Sequence, residues 1–103
     1  MKFGLSDKTI EAIQDVLSQH RQIGRAVIYG SRAKGNYRTG SDIDLTLVAA
    51  KGETLDLNLL IKIDDALDNL LLPYSFDLSI LAGIDNPALV EHIQRVGQLF
   101  YQR

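Results

Sequence analysis

Residues 42–48 read Asp-Ile-Asp-Leu-Thr-Leu-Val, and this alternation constrains the chain more than any other feature. In an extended strand, successive side chains point to opposite faces. Ile43, Leu45 and Leu47 therefore share one face, and Asp42, Asp44, Thr46 and Val48 share the other. The first face needs cover. The second carries two carboxylates, which a dry apolar layer does not tolerate unpaired. Residues 76–81 repeat the pattern: Phe76, Leu78 and Ile80 lie on one side, Asp77, Ser79 and Leu81 on the other. Two such strands predict a sheet that is greasy on one face and partly open on the face holding Asp42, Asp44 and Asp77.

Helices to cover the greasy face are legible around these strands. Ser6 is a good N-cap, with Asp7 in the first turn where the helix dipole favours an anion. Ile10, Ile13, Val16 and Leu17 follow at helical spacing and predict a helix over 7–20, with Gly24 ending the turn. Ala26-Val27-Ile28-Tyr29 is a short strand stopped by Gly30. Ser31 to Lys34 accommodates a helical turn, and 35–41 is a polar loop with two glycines. Thr54 is the expected cap of a long helix over 55–72, closed by Pro73. Its core stripe is Leu55, Leu59, Ile63, Ala66, Leu67 and Leu70; Leu57 and Ile61 fall off that stripe. Asn86 and Pro87 open a last helix and Gly97 lies past its end, before an extended tail, Leu99-Phe100-Tyr101. The order predicts an α/β (α+β) fold: a small mixed or antiparallel sheet with helices packed on one face, residues 1–103 forming a single domain.

Composition narrows the function. The net charge is −2 and the pI about 5.5, so the chain has no bulk attraction to nucleic acid or to an anionic membrane. Any phosphate must be bound by placed donors or by metal. With no cysteine, thiol chemistry is excluded. His20 and His92 are too few and too far apart to suggest a zinc site. No segment is apolar enough for a signal peptide or a membrane span, and a cytoplasmic location is expected.

The carboxylates point to metal-assisted chemistry. Residues two apart on a strand lie roughly 6.5–7 Å apart at Cα. Carboxylates so placed repel and raise one another's pKa. A divalent cation relieves this; Mg²⁺ takes oxygen ligands and keeps waters that phosphates can replace. Two such ions about 4 Å apart stabilise both the attacking and the leaving oxygen of a phosphoryl displacement. Asp77 is the in-strand candidate for a third ligand. A lone aspartate at a strand end is ordinarily a solvated turn residue; the three together with the upstream Gly30-Ser31 are another matter. Gly30 lets backbone approach a phosphate closely. Ser31 opens a helical turn whose free N–H groups suit a triphosphate. Arg32, Lys34 and Arg38 stand nearby to meet negative charge.

Taken together, Gly30-Ser31, ten residues, then Asp42-x-Asp44 fixes four positions; chance gives this in roughly one chain of this length in a thousand. The pattern resembles the signature of the nucleotidyltransferase superfamily typified by DNA polymerase beta, and Asp77 matches its third carboxylate. With little beyond this core, the chain is similar to the minimal nucleotidyltransferases, over roughly residues 6–101. The resemblance implies that Gly30 and Ser31 hold the phosphates of a nucleotide, with Arg32 a third nucleotide-binding residue. It implies that Asp42 and Asp44 bind two Mg²⁺ ions, and that Asp77 completes one metal site and helps activate the attacking hydroxyl. The implied reaction transfers a nucleoside monophosphate, with ATP the expected donor and pyrophosphate leaving. It also implies a partner, since minimal members commonly pair with a small helical HEPN toxin as its antitoxin, and some resemble enzymes that attach AMP to a tyrosine of that toxin. Leu57, Ile61 and the 99–101 tail would offer a docking surface in such a hetero-oligomer. Two other readings compete: an antitoxin that neutralises by contact alone, and transfer to a small molecule. Keeping all three aspartates on a packable face favours the enzyme. Transfer to nucleic acid is weakest, for want of a basic stripe.

Overall fold

The computed structural model describes residues 1–103. Helix α1 (Asp7–Ser18) starts where its cap puts it: the Ser6 hydroxyl accepts from the Thr9 N–H at 3.2 Å. It buries Ile13, Val16 and Leu17. Strand β1 (Ile23–Tyr29) follows, then the short helix α2 (Gly30–Lys34) and strand β2 (Ile43–Ala49). Helix α3 spans Leu57–Asp68, shorter than the expected 55–72. Its cap is Asp56, not Thr54: the carboxylate accepts from the Leu59 N–H at 2.9 Å. A charged acceptor at the positive end of the helix outcompetes a hydroxyl two residues earlier. The other end closes early because the Leu70 N–H bonds back to the Leu67 carbonyl, and Leu71 adopts a positive φ of 55°. Leu70 and Leu72 still pack on the core, from a turn instead of a helix.

Strand β3 (Phe76–Ile80), a single 3₁₀ turn, helix α4 (Pro87–Val96) and strand β4 (Gln98–Gln102) complete the chain. The expected cap at Asn86 is present, its side chain accepting from the Ala88 and Leu89 N–H groups. The extended tail is β4, an edge strand. The sheet order is β3-β2-β1-β4; β1 runs antiparallel to both β2 and β4, and β2 runs parallel to β3. A parallel pair needs a crossover, and α3 supplies it.

The alternation in β2 fixes which face is the core. Ile43, Leu45 and Leu47 are buried against Ile13 and Leu17 of α1, Ile63 and Leu67 of α3, and Leu5 of the N-terminal turn. Helices on one face describes α1 and α3. Helix α4 lies against the other face, at its β1 end. There His92 meets the Tyr29 ring edge-on at 6.2 Å, and Gly97 sits against Val27. Val27 and Tyr29 are the register partners of Thr46 and Asp44. One half of the carboxylate face is thus roofed, and the half over β2 and β3 is left open.

Candidate active site

The open half is organised around Asp44. On one side its register partner is Asp77 of β3; on the other it is Tyr29 of β1. Asp42 precedes β2, whose first residue is Ile43 and not Asp42 as expected, and it is exposed, as is Asp77. Asp44 is half-buried. Loss of solvent raises its pKa to about 6, with Asp77 and Asp42 adding repulsion and the Arg32 charge pulling the other way. The three sequence-predicted carboxylates therefore act on one another electrostatically. Tyr29 is buried beside them; burial raises its pKa first, Ser79 hydrogen-bonding opposes this, and Asp77 and Asp44 raise it further. The Tyr29 ring therefore stays a neutral hydroxyl. Below it, Ser79 donates to the Thr46 hydroxyl at 2.9 Å, closing the polar row across the same face.

Gly30 is tied to Asp44 directly. It sits at φ +73°, and a Cβ there would run into the Asp44 carboxylate. Glycine is required twice over, by backbone conformation and by the carboxylate in the space a side chain would fill. The Gly30-Ser31 turn, the first turn of α2, is thereby held against the central aspartate. Lys34 and Arg38 are exposed.

Arg32 is placed otherwise than a residue standing open to phosphate. It is 2% exposed. Its Nε and Nη2 donate to the Ser41 carbonyl at 3.0 and 2.8 Å, and Nη1 donates to the Phe3 carbonyl at 3.0 Å. The rings of Tyr74 and Tyr37 flank the guanidinium at 4.8 and 5.5 Å. Sequence reasoning missed this burial, and it missed Tyr29 and the Thr46–Ser79 pair. Alternation places Tyr29 on the face of Val27, but only the β1–β2 register sets it opposite Asp44. In the expected docking surface, Phe100 is buried in the core; Leu99, Leu57 and Ile61 remain exposed, the last two at 66% and 57%. A groove of about 290 Å³ runs from Asp77 to Ile61 between β3 and α3, lined also by Leu60, Asp64, Phe76 and Leu78. The largest cavity, about 570 Å³, lies away from the carboxylates, between α1 and β4.

The donor set suits a hard cation: three carboxylates, all oxygen, with the central one destabilised as an anion. As placed, the side chains do not converge into a closed three-ligand cluster.

Residues 11–103 match the family described as polymerase beta, nucleotidyltransferase. The chain belongs to this nucleotidyltransferase family. No curated protein matches it. Among solved structures, the nucleotidyltransferase fold recurs in a toxin–antitoxin crystallised with AMP-PNP (TM-score 0.73, 21% identity, covering 91% of this chain and 73% of that one). It recurs in a complex of a tri-AMPylated Shewanella oneidensis HEPN toxin with its MNT antitoxin (TM-score 0.70, 18% identity, 96% and 74%). A protein described as a minimal nucleotidyltransferase is 26% identical, with a TM-score of 0.68 and 95% of each chain covered. No helix of the present chain is long and apolar enough to cross a membrane.

Proposed function

We propose that this nucleotidyltransferase moves AMP from ATP onto a hydroxyl of a partner protein, a HEPN-type helical toxin, and so acts as its antitoxin. The observation that carries this reading is the grouping of Asp42, Asp44 and Asp77 on one open sheet face, with the Gly30-Ser31 turn seated against Asp44. The relatives support the choice of nucleotide and partner: one is described with AMP-PNP, another with an AMPylated HEPN toxin.

In this reading Gly30 brings its backbone against the phosphates, and Ser31 offers its N–H and hydroxyl to them. Asp42, Asp44 and Asp77 would hold Mg²⁺, which supplies positive charge at the phosphates and at the leaving pyrophosphate. Asp77, the exposed carboxylate on the edge strand, draws the proton from the acceptor hydroxyl. That oxygen attacks the α-phosphorus, the bond to the β-phosphate bridging oxygen breaks, and pyrophosphate leaves. The half of the face roofed by α4 keeps Tyr29 dry and neutral beside the reacting groups. The groove between β3 and α3 leads away from Asp77 and gives the acceptor an approach that is apolar except for Asp64.

The test is intact-mass spectrometry of the partner after mixing with this protein, Mg²⁺ and each NTP in turn. A gain of one or more AMP masses with ATP alone is the expected result. A stable complex whose mass never changes would replace transfer with neutralisation by contact.

A further inference from the structure

We infer that Arg32 is a positioning residue: its guanidinium sets the spacing between the Gly30-Ser31 turn and Asp42 and does not bind the nucleotide. The inference rests on the nucleotidyl-transfer reading above. Arg32 follows Ser31 directly in α2, and it holds the Ser41 carbonyl with two of its N–H groups. That carbonyl belongs to the peptide unit joining Ser41 to Asp42. One side chain therefore ties the phosphate-facing turn to the first carboxylate across a loop of exposed residues, 35–40. A third N–H reaches the Phe3 carbonyl and draws in the N-terminal turn, where Gly4 is packed on the Tyr37 ring.

Burying a guanidinium is costly unless its donors are matched. Here charge-assisted bonds to two carbonyls match three of the five donors, and two aromatic faces cover the plane. At 2% exposure it has almost no surface to offer a triphosphate without leaving this seat, and the cavity of about 200 Å³ that it lines is shared with Tyr37, Arg38 and Tyr74. Lysine cannot replace it, because a single ammonium lacks the fork that grips Ser41 while reaching Phe3.

The test uses the full chain with Arg32→Lys and Arg32→Gln, and three readouts. Amide hydrogen exchange over residues 36–42 should quicken about tenfold or more in both variants. ATP binding without divalent cation, followed by calorimetry, should stay within about twofold of wild type. Transfer to the partner protein at saturating ATP should fall about tenfold or more in Arg32→Lys, with KM for ATP within about threefold. If Arg32→Gln does not fold, Arg32→Lys carries the test. Tyr74→Leu, which removes one stacking face and leaves the hydrogen bonds, should then give intermediate loop exchange.

Wild-type exchange and turnover in Arg32→Lys would overturn the inference, since charge alone would then suffice. So would a tenfold or greater loss of metal-free ATP binding with loop protection unchanged, the mark of a phosphate ligand. A wild-type protein that transfers nothing would overturn the nucleotidyl-transfer reading and the catalytic part of this one with it. Its loop exchange would separate that failure from failure of the clamp.

Discussion

Replacing Asp44 by asparagine should make the metal-free protein more stable. An acid whose pKa is higher folded than unfolded binds its proton more tightly in the folded chain. The folded state then loses stability as pH rises between the two values and stays penalised above both. For Asp44 the window runs from the usual 3.8 to about 6. At full strength the difference is about 3 kcal/mol at neutral pH. Asp44 keeps partial contact with water, and screening reduces the gain to about 1–2 kcal/mol. For a domain of this size that is a rise in Tm of about 4–10 °C. The assay is urea or thermal unfolding of wild type and Asp44→Asn in a chelating buffer, at pH 7.5 and again at pH 3.5. At the lower pH Asp44 is protonated in the folded state and mostly so in the unfolded one, so the gain should shrink to a few tenths of a kcal/mol. Adding Mg²⁺ at pH 7.5 should raise the wild type and leave the variant nearly unmoved, since ligand binding stabilises only the form that binds. A variant less stable than wild type at pH 7.5, or a gain that persists in full at pH 3.5, would refute the reasoning.

Asp42→Asn and Asp77→Asn should each cut transfer about a hundredfold or more while circular dichroism and Tm stay near wild type, because both side chains are exposed. Gly30→Ala should cost about 1–2 kcal/mol from its left-handed φ alone, more from the collision with Asp44, and transfer should fall with it; chemical denaturation and the mass assay read the two effects. Ile61→Asp should leave Tm unchanged but weaken the complex with the partner protein about tenfold or more in calorimetry; unchanged affinity would remove the groove beside Asp77 from the docking surface. Ile63→Ala, in the centre of the core, should cost about 2–5 kcal/mol by denaturation.

The alternation in residues 42–48 and 76–80 carried most of the fold, because a half-buried strand leaves its period in the sequence. The capped helices α1 and α4 were legible for the same local reason, and the four-residue signature drew Gly30, Ser31, Asp42 and Asp44 into one proposal. What escaped the sequence depends on three-dimensional register. Asp56 and Thr54 are both competent caps, and only the competition at the helix end decides between them. Arg32 reads as a surface charge beside a phosphate turn until two tyrosines, 37 and 74, and the carbonyls of residues 3 and 41 close around it. That α4 roofs the polar face could not be read from its own amphipathicity, which marks a buried side but not the surface that buries it. The glycine at position 30 was expected to admit a phosphate; the structure adds a nearer reason, the Asp44 carboxylate in the space of its missing side chain.

The parallel seating of β3 beside β2 has a kinetic consequence. Gly30, Asp42 and Asp44 lie at the closed end of the antiparallel β1–β2 pair, joined through residues 30–42, a connection far more local than the one to β3. Asp77 arrives only after the α3 crossover has folded and docked, a slower and less local event. The Gly30-Ser31 turn and two carboxylates are therefore expected to come together early, with the third carboxylate joining later. In that order the two carboxylates of the β1–β2 unit would be in place before the residue proposed to take the proton. Pulsed hydrogen exchange during refolding should show β1 and β2 amides protected before those of β3; simultaneous protection would contradict this order of assembly.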